Sequence, residues 1–244
     1  MSSETQFAEN RTRLVSHFDG YSTRDAQSDG WAKLWEQKEQ DLWDRGQASP
    51  ALTMFLEEHP YRETLFRDQS QRQLKAFVPG CEISQGAVDT ANENVKSHLD
   101  PSAGHVADVV LGDFFQKEFE AHFGPDFQGF DLIYDYTFLC ALLPEMRRDW
   151  ADRMKSLLSP TGVLVCLEFP MWKPLKAQGP PWGLNGVHWN LLADGADGLF
   201  DDSGNLLGTG KEQGSFERVV YWKPPVSFKQ SRGDDMISVW KLKQ

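Results

Sequence analysis

Two apolar runs separated by one amphipathic segment constrain the fold of this 244-residue chain more than any other feature. The runs are FDLIYDY at 130–136 and GVLVCLEF at 162–169, and the segment between them, 144–158, places Met146 and Trp150 on one helical face. The second run is almost entirely apolar, as expected for a central strand that is covered on both faces. The pattern therefore predicts a strand–helix–strand unit within a parallel sheet.

The same periodicities predict the remaining elements. Further strands are expected at 74–78, 107–111, 216–222 and 236–242, and further helices over 52–58, over 87–96 and from a cap at Ser28 or Asp29. Alternating strands and helices predict an α/β fold with a doubly wound, mostly parallel sheet. The last two strands have no helix between them, so they predict an antiparallel C-terminal pair. Residues 1–28 are polar and are predicted to form an N-terminal arm before a single domain over 29–244.

Charge and cysteine content exclude several classes of function. The formal net charge of -11 argues against nucleic acid and anionic membranes as partners, because both attract clustered Lys and Arg. The first residues are polar and no apolar run is long enough to span a bilayer, so we expect neither a secretory signal nor a membrane span. Its three cysteines, Cys81, Cys140 and Cys166, form no CxxC pair, so we expect a reduced, cytoplasmic protein with no metal site. We expect it to act as a monomer on a small molecule.

Several polar and aromatic residues follow the predicted strands. In open parallel sheets, ligands bind beyond the carboxyl ends of the strands. The residues at these positions are Pro79-Gly80, Glu82, Asp113-Phe114, Asp135-Tyr136 and Glu168-Phe169. An acid at the end of the second strand is the usual partner of ribose hydroxyls, and an acid followed by Phe suits an adenine. Each acid alone could equally cap the next helix.

Three tryptophans, Trp31, Trp35 and Trp43, lie before the first strand. The face of an indole ring attracts cations, a sulfonium among them. The alternative for Trp31 and Trp35, which are four residues apart, is ordinary packing on one face of a helix.

Taken together, these segments resemble the thiopurine S-methyltransferase superfamily, in particular its plant and fungal thiol/halide methyltransferase branch. The matching text comprises Gly30-Trp31 through Trp35, Trp43-Asp44-Arg45-Gly46, Ser49-Pro50-Ala51-Leu52, Val78-Pro79-Gly80-Cys81, Glu82-Ile83-Ser84, Gly112-Asp113-Phe114-Phe115, the whole of 130–170, Arg232-Gly233 and Trp240. The resemblance implies a Rossmann-like class I methyltransferase that moves a methyl group from S-adenosylmethionine to a small thiol, halide or hydrosulfide.

The resemblance also implies roles for individual residues. The cofactor contacts would be Trp31, Trp35, Trp43, Gly80, Glu82, Asp113, Phe114 and Tyr136. Tyr136, Arg147 and Arg148 are candidates for orienting or activating a thiol, and the alternative for the two arginines is a solvated helix face. The segment 171–190, rich in Trp, Pro and Gly, is expected to fold over the acceptor pocket.

One departure from the family pattern affects the predicted function. Cys81 runs directly into Glu82, so the glycine-rich loop, the first crossover helix and most of the second strand are missing at this point. Parallel strands need a crossover of a dozen or more residues. Either an internal segment has been lost from the gene model of an enzyme, or the chain is a degenerate relative that binds without catalysis. Weak cofactor binding, low stability and little activity are predicted for the chain as it stands. A nicotinamide-dependent oxidoreductase would share the sheet, but the glycine fingerprint of that class is absent.

Overall fold

The computed structural model describes residues 3–65, 74–79, 84–99 and 107–244. Its sheet has five strands in the order β1-β2-β3-β5-β4. The strands are β1 (Ala76–Phe77), β2 (Phe130–Asp135), β3 (Leu158–Glu168), β4 (Phe216–Trp222) and β5 (Met236–Leu242). β1, β2 and β3 run parallel, and β5 lies antiparallel between β3 and β4. The mostly parallel sheet and the antiparallel C-terminal pair are confirmed.

Seven α-helices accompany the sheet in the described part of the chain. They are α1 (Ser3–His17), α2 (Arg24–Glu36), α3 (Pro50–Glu58), α4 (Arg62–Leu65), α5 (Gln85–His98), α6 (Arg147–Leu157) and α7 (Val187–Leu192). Ser49 caps α3 through its side chain, and Pro50 occupies the first turn, where its missing N–H costs nothing. None of the helices in these ranges combines the length and the apolar character that crossing a lipid bilayer requires.

The core lies on both faces of the central strand β3. Leu164 and Cys166 face one side, where the fully buried Trp150 of α6 and Trp240 of β5 belong to the same cluster. Val163, Val165 and Leu167 face the other side and pack with Phe55 of α3. β3 is thus covered on both faces, which is why its sequence is apolar almost throughout.

The segment 107–111 is not a strand, contrary to the prediction. Its Leu111 is 48% exposed, and β1, beside which the segment would have to pair, is only two residues long instead of the predicted 74–78. A strand without a partner leaves its backbone groups unpaired, so an apolar run alone does not produce one. Among the described residues no strand pairs with the outer edge of β1. The loss of an internal segment after Cys81 stays a prediction, since residues 80–83 lie outside the described part.

Two N-terminal features also differ from the expectation. α2 begins after Thr23, whose hydroxyl accepts a hydrogen bond from the Ala26 backbone, and not at Ser28 or Asp29. Residues 3–17 of the polar segment form α1, which is anchored by Leu14 and by Phe18 just beyond its end. Both side chains pack with Trp31, so α1 lies against α2.

Candidate active site

A cavity of about 340 Å³ opens at the carboxyl ends of β2 and β3. Thr137, two residues beyond β2, and Phe169, one residue beyond β3, belong to its wall. The other sides come from α1, from α2 and the turn after it, from the segment following β3 and from the turn between β4 and β5. The volume lies in the range of small-molecule sites, and the position is where open parallel sheets bind ligands.

Four cationic side chains line this cavity: Arg11, Arg45, Lys229 and Arg232. No Asp or Glu occurs among its described lining residues. The cavity is therefore positive in a protein whose net charge is -11. Burial lowers the pKa of Arg45, and its Nε is buried with no hydrogen-bond partner among the described residues. Positive side chains in a cavity favour ligands of negative charge.

Trp31 and Trp43 form an aromatic side of the cavity, with ring centroids 5.3 Å apart in an edge-to-face arrangement. Trp31 is 7% exposed, and its Nε1 has no partner within the described residues. Trp35 contacts Trp43 at 5.4 Å but does not line the cavity. The structure thus brings the three tryptophans together and places two of them in the wall of the cavity.

A third indole, Trp172, holds two of the cationic side chains. The guanidinium carbon of Arg232 lies 3.8 Å from the centre of its ring and that of Arg11 lies 5.1 Å from it. Trp172 Nε1 donates to the backbone oxygen of Gln230 at 3.0 Å. Trp172 therefore ties α1, the segment after β3 and the β4–β5 turn to one another through cation–π and hydrogen-bond contacts.

Tyr136 follows β2 and lies behind the cavity wall. Its hydroxyl oxygen accepts a hydrogen bond from Gln230 Nε2 at 3.0 Å, and its ring stacks on Phe228 at 6.0 Å. Burial raises the pKa of Tyr136 well above its ordinary value, so the phenol stays protonated and is no base. Gln230 itself lines the cavity, and its Oε1 is buried with no described partner.

Asp113 and Phe114 line a second, smaller cavity of about 30 Å³. Trp31 belongs to the walls of both cavities, so these residues are neighbours of the first site. Asp113 caps its own turn by accepting from the Phe115 N–H at 2.9 Å, and Phe114 packs edge-on against Phe138 at 4.9 Å. Space of this size holds about one water, so an adenine ring does not fit there in this arrangement.

Arg147 does not reach the cavity. It is fully buried and donates to the backbone oxygens of Gly198 at 2.6 Å and Gly183 at 3.2 Å, and burial lowers its pKa to about 10. Neither a thiol-orienting role nor a solvated helix face describes it, because it ties the loops after β3 to α6. Arg148 is partly buried and bonds to the carbonyls of Leu191 and Ala196. The predicted contacts Gly80 and Glu82 lie outside the described residues.

The cationic lining is the part of the site that the sequence analysis missed. Arg45 and Arg232 stood in the quoted family segments but received no role, and Arg11 belongs to the supposed polar arm. Cys140 also lines the cavity; it donates to the Thr137 carbonyl at 3.4 Å, and burial raises its pKa. This thiol stays protonated and is unsuited to act as a nucleophile.

The family model and the relatives that match this sequence are all methyltransferases. The sequence model of the family described as thiopurine S-methyltransferase matches residues 26–194. Thiocyanate methyltransferase 1 of Brassica oleracea is 32% identical over 221 residues, which cover 87% of this chain and 84% of that protein. Probable thiol methyltransferase 2 of Arabidopsis thaliana is 28% identical over 82% of this chain and 87% of its own length. Thiocyanate methyltransferase 1 of Arabidopsis thaliana is 33% identical over 63% of this chain, and the match spans 66% of that relative.

Proposed function

Because the chain belongs to the thiopurine S-methyltransferase family, as an S-adenosylmethionine-dependent S-methyltransferase, we propose that its acceptor is a small anionic nucleophile. The acceptor class comprises thiolates, hydrosulfide, thiocyanate and halides. The observation that carries this proposal is the cationic lining of Arg11, Arg45, Lys229 and Arg232 without a described carboxylate.

The cationic lining also removes the need for a catalytic base. Nearby positive charge stabilises a thiolate over its thiol, so it lowers the pKa of a bound acceptor. A thiolate or halide is already nucleophilic, and the remaining requirement is alignment with the methyl group. Tyr136 is protonated and Arg147 is remote, so neither is assigned as a base. Tyr136 instead positions Gln230 in the cavity wall.

The described residues fit one end of S-adenosylmethionine, which supplies an electrophilic methyl group on a sulfonium when bound. The faces of Trp31 and Trp43 suit the sulfonium, because a cation–π contact of this kind stabilises a bound cation by about 0.5–2 kcal/mol. Arg45 and Gln230 both line the cavity, and their guanidinium and amide groups supply donors and an acceptor for the carboxylate and amino groups of an amino acid. Glu82, expected at the ribose, lies outside the described residues.

A second candidate is a methyltransferase-fold protein that binds without catalysis. The shortness of β1 and its unpaired outer edge among the described residues favour this alternative. Calorimetric titration with S-adenosylmethionine distinguishes a degenerate site from a working one. Micromolar affinity would contradict the predicted weak binding. If a segment has been lost, inserting about 20 residues between Cys81 and Glu82 should restore binding, since this is the length of a short crossover plus a strand.

The main experiment follows methyl transfer from labelled S-adenosylmethionine to thiocyanate, iodide, hydrosulfide and thiophenol. An amine, which is neutral or cationic, serves as the acceptor without negative charge. We expect transfer to the anions and none to the amine. Arg232→Gln and Arg45→Gln should each lower kcat/KM by roughly 10- to 100-fold, the loss of one charged contact. Arg62→Gln is the matched control, since Arg62 is exposed on α4 and away from the cavity. Transfer to the amine at a rate equal to that of thiocyanate would refute the proposal.

A further inference from the structure

Lys173 is a buried lysine that the methyl transfer described above does not use. It lies in the segment after β3, next to Trp172, and is 7% exposed. Its Nζ donates to the backbone oxygens of Gln178 and Pro181, both at 2.7 Å. The ammonium therefore bridges two points of one turn of the chain.

The bridged turn forms part of the cavity wall. Pro180 and Pro181 line the cavity, and as prolines they have no N–H with which to tie the turn to neighbouring backbone. Beyond Lys173, the turn is fixed by the Trp182 N–H, which donates to the Cys140 carbonyl at 2.8 Å. Lys173 and this hydrogen bond together fix the position of the two prolines in the cavity wall.

Lys173 has a positively charged neighbour but no described carboxylate partner. The charged side chain that faces it is Arg11 of α1, and the titratable neighbour on the other side is the Cys140 thiol after β2. No ion pair to Lys173 occurs among the described residues. Burial, and to a smaller extent Arg11, lower the pKa of Lys173 to about 8. Its proton is therefore lost more readily than that of an ordinary lysine.

We propose that Lys173 is a positioning residue for the acceptor: as an ammonium it holds the proline turn in place and adds positive charge behind the cavity wall, and as a neutral amine it does both less well. This inference rests on the proposed function, because it assumes an anion in the cavity. Acceptor binding should weaken as the proton leaves, while cofactor binding at the tryptophans is unaffected.

Thiocyanate is the appropriate probe, because it keeps its negative charge between about pH 6 and 10, and a guanidinium holds its proton more tightly than an ammonium. For the wild-type chain we expect kcat/KM for thiocyanate to fall about tenfold between about pH 7 and 9.5, through a rise in KM and not a fall in kcat. Lys173→Met should give the low value at every pH. Lys173→Arg should keep the high value without the fall, since a guanidinium does not lose its proton.

Lys229→Met is the matched control, because it removes another lysine of the cavity and should weaken binding without removing the pH dependence. Calorimetric binding of thiocyanate in the presence of S-adenosylhomocysteine gives the same comparison without turnover. If Lys173→Met does not fold, the pH profiles of kcat/KM for the wild type, Lys173→Arg and Lys229→Met still test whether Lys173 causes the fall. A flat wild-type profile, or an unchanged fall in Lys173→Arg, overturns the proposal. Absence of transfer to every anion would instead overturn the proposed function, and the binding arm would still test Lys173.

Discussion

Glu168→Gln should stabilise the protein above pH 7. Glu168 ends β3, is 2% exposed and lies with its Oε2 3.9 Å from Nδ1 of the buried His188. Burial raises the pKa of Glu168 to about 7 from an ordinary 4.5, although Ser238 and Arg218 act in the opposite direction. The contacts of the buried Glu168 carboxylate thus only partly replace the hydration that it loses on folding.

The size of the effect follows from the two pKa values. A tenfold change in proton affinity corresponds to about 1.4 kcal/mol, so the difference between 4.5 and about 7 amounts to about 3 kcal/mol. Because the folded-state value is the higher one, the native state binds more protons between these values. The contribution of Glu168 to stability is complete below pH 4.5 and is lost as the pH rises through 7.

The neighbouring His188 has the opposite dependence. Burial, with Arg147 and Arg218, lowers its pKa from 6.5 to about 3. Its contribution is present above pH 6.5 and is lost as the pH falls towards 3. The two effects partly cancel in the wild-type chain, so the difference between variant and wild type is the quantity to measure.

Urea unfolding at pH 5, 6, 7 and 8 provides that difference. We expect Glu168→Gln to gain up to about 3 kcal/mol relative to wild type between pH 5 and 8, with most of the change between pH 5 and 7. Glu217→Gln on the exposed side of β4 is the matched control and should differ from wild type by less than about 0.5 kcal/mol at each pH. A variant-minus-wild-type difference that stays constant over this range would refute the reasoning.

Three further outcomes are expected. Trp31→Ala should weaken S-adenosylmethionine binding by roughly 2- to 30-fold in calorimetry, as the loss of a cation–π face predicts, and Trp35→Ala should weaken it less. Arg147→Met should lower the free energy of unfolding by about 2 kcal/mol or more, because two buried carbonyls lose their donor; a change below about 0.5 kcal/mol would contradict the structure. Gly183→Ala should destabilise by about 1–3 kcal/mol in the same assay, because a Cβ there would meet the Lys173 carbonyl, and an unchanged midpoint would count against that close approach.

The elements with clear periodicity could be predicted from the sequence. The bounds of β4 and β5 agree residue by residue with the predicted 216–222 and 236–242. The strand expected at 107–111 failed because β structure depends on a partner elsewhere in the chain, and β1 is too short to serve. α1 was missed as a helix because it is mostly polar and buries little beyond Leu14.

The candidate site was predictable only where a residue follows a strand or belongs to a recognisable segment. Trp31, Trp43 and Asp113 were predicted in this way; Trp31 and Trp43 line the first cavity, and Asp113 lines the second together with Trp31. Arg147 was misassigned because helical spacing shows which face a residue occupies but not what covers that face. Its partners, the carbonyls of Gly183 and Gly198, are 36 and 51 residues away in the sequence.

The position of α1 bears on the reactivity of anything bound beneath it. Phe7, Ala8 and Arg11 close one side of the cavity, and hydrogen bonds from Asn10 to the Asp41 carbonyl and from Arg13 to Glu39 hold the helix there. The hydration shell of a small anion lowers its reactivity as a nucleophile, and the anion reacts faster once fixed side chains replace that shell. If the proposed acceptor binds in this cavity, the stability of the first helix on its wall determines how much water accompanies the acceptor.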